Sequence, residues 1–137
     1  MHVVVVDGQG GKLGAQIIKE IVSQFELVEI TAVGTNAVAT ANMLKAGAHQ
    51  GATGENPVIV ACRSADVIIG PVGIVIADSL LGEVTPNMAM AIGQADAVRI
   101  LIPVNKCNNL VAGVNSGNIS VLVSDAIEKL KDVYKLY

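Results

Sequence analysis

The sequence predicts a single α/β domain of Rossmann type: three layers, with a mainly parallel sheet of about five strands and helices on both faces. Three observations predict it. Strand-like and helix-like segments alternate from end to end. The first strand-like run, Val3-Val4-Val5-Val6, opens straight into a glycine loop and then a helical pattern. The composition suits strands buried on both faces, because hydrophobic residues make up 52% of the chain and charged ones only 15%. A typical domain carries about 25% charged residues.

A chain of 137 residues fits one domain with a real core. Aromatic residues are only 2%, so that core must be built from Val, Ile, Leu, Ala and Met. The low charge also fits apolar surface hidden in a homo-oligomer, of which the two-fold dimer is the commonest form.

The elements follow in order. Val3 to Val6 is a β-branched run suited to a central parallel strand. After the glycine loop, Ile18, Ile21, Val22 and Phe25 recur at i, i+3, i+4 and i+7, marking one face of a helix. Leu27 to Val33 reads as the second strand. Thr35 or Asn36 can cap a second helix that ends at Gly47, and a weak strand is expected near Ala48 to Gly51. Asn56-Pro57 reads as a helix start, with Asn as the cap and Pro in the first helical position, running to about Ser64. Asp66 to Gly70 is the fourth strand. Val72 to Leu81 is expected to be helical and closed by Gly82. Thr85-Pro86 repeats the cap-then-proline start for a short helix to about Ile92. Ala97 to Val104 is the fifth strand. Last comes a helix with the apolar stripe Ile119, Leu122, Val123, Ala126, Ile127, Leu130, Tyr134 and Tyr137. The strand order expected is 3-2-1-4-5, with 2-1-3-4-5 as the alternative.

The loop Asp7-Gly8-Gln9-Gly10-Gly11-Lys12-Leu13-Gly14 lies where a nucleotide-binding fingerprint belongs. Gly8 is expected to turn the chain off the strand. Gly10 and Gly11 would let backbone approach phosphate, and Gly14 would let helix and strand lie close. The amides of residues 10 to 13 would then face an anion at the positive end of the helix. On this reading Gly11→Val abolishes nucleotide binding and leaves the fold intact. The strict G-x-G-x-x-G spacing fails at Leu13, and the spacing that fits is Gly8, Gly11 and Gly14. A P-loop is excluded, since Lys12 is followed by Leu13 and no glycine stands five residues before Gly11. The local run from Gly8 to Ile18 resembles the loop of the NAD(P)-dependent dihydrodipicolinate reductases, over about the first 20 residues. That resemblance implies NAD or NADP as the nucleotide.

The end of the second strand reads Val33-Gly34-Thr35-Asn36, where NAD sites commonly have an acid for the ribose hydroxyls. Thr35 and Asn36 can bond ribose or base but are neutral, and no Arg or Lys stands there for a 2′-phosphate. Other ligand contacts are expected from loops at the carboxyl ends of the strands: Glu55 and Asn56, then Gly70, Pro71 and Gly73. Asp7, just before the glycine loop, would repel phosphate if it pointed inward, or could bond the loop amides instead. Candidates for general acid–base work are Lys106, Glu55, His49 and Asp7, with no recognisable constellation. Cys107 has no evident base, and the two cysteines form neither a disulfide framework nor a zinc pattern, so no metal is expected.

A net charge of −3 without a basic run argues against nucleic acid. No basic leader precedes the opening apolar run. The most apolar stretch, Val67 to Ala77, is far short of a membrane span and is broken by Gly70, Pro71 and Gly73. A cytoplasmic protein is expected. The Asp7–Gly11 motif DGQGG, the Gly54–Asn56 motif GEN and the chain length resemble a family of short, functionally uncharacterised bacterial proteins. That resemblance implies no activity or substrate. The residues favour a nucleotide- or dinucleotide-binding protein without chemistry of its own. The short chain favours that reading, since a classical dehydrogenase is expected to need a second, substrate-binding domain; one alternative is a small NAD(P)-dependent oxidoreductase completed by a dimer partner. Another is an interaction module that binds nothing at the loop.

Overall fold

The computed structural model describes residues 1–104, 108–114 and 117–137. Five parallel strands form one sheet: β1 (His2–Asp7), β2 (Glu29–Gly34), β3 (Gln50–Thr53), β4 (Val67–Pro71) and β5 (Val98–Ile102). Their order is β3-β2-β1-β4-β5, as the sequence predicts. The helices are α1 (Lys12–Gln24), α2 (Ala37–Ala46), α3 (Glu55–Cys62), α4 (Pro86–Gln94) and α5 (Ile119–Tyr134).

The period of two along each strand feeds two cores. Val3, Val5, Ile30, Val67 and Ile69 pack with α1, α2 and α5, through Ile17, Ile21, Met43, Val123, Ile127 and Leu130. Val4, Val6 and Ile68 pack on the opposite face with Val58 of α3 and Met88 and Ile92 of α4. Strands enclosed on both sides need no polar face, which accounts for the low charge of the chain. Among the described residues, no helix is long and apolar enough to cross a membrane.

Several boundaries differ from the sequence reading. The buried face of α1 is Ile17, Ile18 and Ile21, while Val22 is half exposed. Phe25 closes that helix and meets Tyr134 of α5 edge-on, 5.2 Å between ring centres. Ile119 and Tyr137, at the two ends of the expected α5 stripe, are exposed. Asn36 rather than Thr35 caps α2, accepting a bond from the Ala39 amide at 2.9 Å, and Gly47 ends the helix. Thr85 caps α4 as expected, with Pro86 in the first position. Asn56 does not cap α3: Gly54 stands at that position with φ 106°, and Asn56 lies in the first turn. The helix therefore starts at Glu55, whose carboxylate favours a first turn.

The largest difference is the segment after β4. Only Val72–Val75 turns, as one turn of 3-10 helix, and no α-helix runs to Leu81. Val72, Ile74, Val75 and Ile76 are β-branched and disfavour helix. The Ser79 hydroxyl donates to the carbonyls of Gly73 and Ile76, which offers the backbone an alternative to helical bonding. Asp78, Leu80 and Leu81 all take left-handed backbone conformations (φ 67°, 55° and 57°), so the chain coils back on itself. That coil buries Leu80 in the second core, which also holds Ile74 and Val84, and brings Glu83 onto the glycine loop.

Candidate functional site

The order of the sheet fixes one switch point. From β1 the chain moves outward through β2 to β3, then crosses back to β4 on the other side of β1. The carboxyl ends of β1 and β4 therefore flank the switch point at which doubly wound sheets bind ligands. Asp7 to Gly14 leaves β1 at this point.

The loop is held rigidly by side chains. Asp7 is buried, and its two carboxylate oxygens accept from the amides of Gly8 and Gly14, each at 2.8 Å. It clamps the loop from beneath and does not point at a ligand. Burial pushes its carboxyl above the ordinary range, the amides of Gly14 and Gly8 pull it down, and the neighbouring charge of Glu83 adds to the rise. From the other side, Asn36 donates to the Gln9 carbonyl at 2.9 Å and Asn42 to the Gly10 carbonyl at 2.7 Å.

The glycines divide by role. Gly11, the residue before α1, has φ 70°, and a Cβ there would lie 2.6 Å from the Ala39 Cα. Its purpose is close contact between the loop and α2, so the expectation that Gly11→Val spares the fold is corrected. At Gly14 a Cβ would meet the Asp7 Cβ at 3.0 Å and the Met43 sulfur at 2.5 Å, so here the close helix–strand approach is as expected. Gly8 leaves room for Thr35, Leu80 and Glu83. Gly10 alone is open: a Cβ there would meet nothing nearer than Lys12 at 3.9 Å. Among the described residues, the amides of Gly10, Lys12 and Leu13 have no protein acceptor. First-turn amides of a helix point out of its N-terminus, so those of Lys12 and Leu13 are directed toward the carboxyl end of the sheet, and Gly10 stands two residues before the helix.

Beside them stands a carboxylate that the sequence reading did not single out. Glu83 Oε1 accepts from the Gln9 amide at 2.9 Å, the Thr35 hydroxyl at 2.6 Å and the Asn36 side-chain amide at 2.8 Å. Burial raises its pKa, but the bonds from Thr35, Gln9 and Asn36 outweigh that and hold the carboxyl below its ordinary range. Gln9, left-handed at φ 50°, is kept in that conformation by bonds at both its amide and its carbonyl. The signal that could have found Glu83 is positional: an acid between Gly82 and the Thr85-Pro86 helix start, after a strand end.

The remaining candidates separate. Glu55 lies at the same end of the sheet and accepts from the Thr85 hydroxyl at 2.6 Å. Asn56 instead faces a cleft of about 420 Å³ over β2 and β3, lined also by His2, Thr31 and Gln50. Gly70 is a packing residue, because a Cβ there would lie 2.3 Å from the Val6 carbonyl oxygen. Pro71 ends β4, and the Gly73 carbonyl accepts from the Ser79 hydroxyl. His49 is at the amino end of the sheet, its ring accepting from the Ile30 amide at 2.9 Å, far from the glycine loop. Lys106 and Cys107 lie outside the described residues. Lys12 is exposed and shares a groove between α1 and α2 with Lys19 and Lys45; among the described residues none of the three has an ion-pair partner. No group of acids, His or Cys suited to a metal occurs among the described residues.

These features define a doubly wound α/β protein whose glycine loop, at the switch point of the sheet, carries amides without a protein acceptor among the described residues. The chain belongs to the family described as "Domain of unknown function (DUF3842)", which matches residues 2–135. No curated protein matches its sequence. Among solved structures it is similar to a dodecameric FMN-dependent UbiX-like decarboxylase from Escherichia coli O157:H7. Identity is 16% and the TM-score 0.46, over 96% of this chain and 76% of that one. A likeness of that degree carries no functional argument.

Proposed function

We infer that the protein binds a nucleotide or dinucleotide, with phosphate against the amides of Gly10, Lys12 and Leu13. The observation that carries this reading is the unpartnered row of amides at the start of α1, on a loop already fixed by Asp7, Asn36 and Asn42. Preorganised donors at a helix N-terminus favour an anion and need little ordering when it arrives. The three lysines of the adjacent groove add positive potential. NAD or NADP is the class of ligand supported by the local likeness of the loop to the dihydrodipicolinate reductases.

Binding without turnover is favoured over catalysis. Asp7 is buried with both oxygens bonded to loop amides and Glu55 accepts from Thr85, so neither is a free acid or base. A homo-oligomer fits Leu81 and Leu110, which are almost fully exposed.

The test is Gly10→Asp. The position is open and its backbone is not left-handed, so stability is expected to change by less than about 1 kcal/mol. A negative charge beside the phosphate should weaken nucleotide binding at least about tenfold, measured by calorimetric titration. A folded variant that binds as tightly as the parent chain contradicts the assignment.

A further inference from the structure

The acid that NAD sites commonly carry at the end of the second strand is missing here: Thr35 and Asn36 follow Gly34. The coil between β4 and α4 delivers a carboxylate to the same place. Glu83 is anchored through one oxygen only, since Gln9, Thr35 and Asn36 all donate to Oε1. Among the described residues no protein group donates to Oε2. The carboxylate thus has one oxygen fixed by three bonds and one oxygen available to a ligand hydroxyl.

We propose that Glu83 reads the ribose of the bound nucleotide, its Oε2 accepting from the 2′- and 3′-hydroxyls, so that the site takes nucleotides with a free ribose diol and rejects a 2′-phosphate. This rests on the nucleotide reading of the glycine loop. The geometry is coherent with it. Phosphate belongs at the amides of Gly10, Lys12 and Leu13, and the Gln9 amide, one residue before them, positions the acid. A ribose lies next to its 5′-phosphate, so the reader must stand beside the phosphate donors and not among them. A fixed negative charge repels a phosphate ester at the 2′-position and pairs well with a hydroxyl. Thr35 and Asn36 then act as positioning residues that hold the acid ionised and in place. The same bonds hold its carboxyl below the ordinary range, so the reader stays charged at neutral pH.

The experiment compares ligands on the unaltered chain. ADP and GDP are titrated against their 2′-deoxy counterparts, and NAD against NADP. The ribonucleotides are expected to bind roughly tenfold tighter than the deoxy forms, and NAD at least tenfold tighter than NADP. Glu83→Gln keeps the shape and should erase most of both differences, with circular dichroism checking that it is folded. Binding of ADP and 2′-deoxy-ADP with equal affinity overturns this proposal and leaves the phosphate site standing. Tighter binding by Glu83→Gln overturns it too, because the carboxylate would then be a plug. Failure of every nucleotide to bind overturns the proposal together with the glycine-loop reading.

Discussion

Gly11→Val is expected to destabilise the fold by about 2–5 kcal/mol at 25 °C, a large share of a domain's total stability. Two costs combine at this residue. The backbone is left-handed at φ 70°, which costs an L-residue about 1–2 kcal/mol and a β-branched one more. A Cβ would also lie 2.6 Å from the Ala39 Cα and 2.8 Å from the Ala39 carbonyl oxygen. Those are backbone atoms in the first turn of α2, and no rotamer change relieves the overlap. Overpacking of that kind costs about 1–3 kcal/mol, so the sum is roughly 2–5 kcal/mol against a total of about 5–15. Urea unfolding followed by circular dichroism measures it. A variant within about 1 kcal/mol of the parent would mean that loop and α2 are not in close contact.

Asp7→Ala is expected to cost about 2–4 kcal/mol. The Gly8 and Gly14 amides would lose their acceptor in a buried place, and each stranded donor costs about 1–3 kcal/mol. Part of that is returned, because the buried carboxylate no longer has to be desolvated. The two terms separate with pH. Burial raises the Asp7 pKa above its ordinary value of 3.8. A raised folded pKa contributes stability that is fully present below the unfolded value and is lost as pH rises through the folded one. The stability gap between the parent chain and Asp7→Ala should therefore be widest in acid and narrow as pH rises out of the region near 3.8. A gap that widens with rising pH would mean that the amides outweigh burial, and that the clamp is strongest when ionised. Glu83 shifts the opposite way, since its stabilising contribution is lost as pH falls. Measuring Asp7→Ala in a Glu83→Gln background isolates the first effect.

The parts of the fold that were legible from sequence are those governed by local rules. The four-valine run reads as a strand and Thr85-Pro86 as a helix start, although the same cap-then-proline rule placed the cap of α3 two residues too late. Asn36 capped α2 because its side chain reaches its own helix's amides, a matter of a few residues. What stayed hidden depends on contacts far apart in the chain. Val72 to Leu81 carries an apolar run that a helix could use. It coils instead because Leu80 finds a place beside Ile74 and Val84, and because Ser79 takes the Gly73 and Ile76 carbonyls. Glu83 is 74 residues from Gln9, so nothing local marks it as part of the glycine loop. Within that loop the pattern of glycines was visible, but the division of labour was not. Gly11 and Gly14 are required by their neighbours on α2, and only Gly10 stands open to a ligand.

Thermal unfolding of the whole chain against NAD, NADP, ADP, GDP and FMN tests the central claim most directly. A ligand that binds only the folded state adds about 2.7 kcal/mol of stability at a hundredfold excess over its dissociation constant, and the midpoint rises accordingly. The account predicts a clear rise with a ribonucleotide diphosphate or with NAD, cut to about half or less in Gly10→Asp. A midpoint unchanged by all five would contradict it, and the glycines would then serve only to pack α1 against α2 and β1.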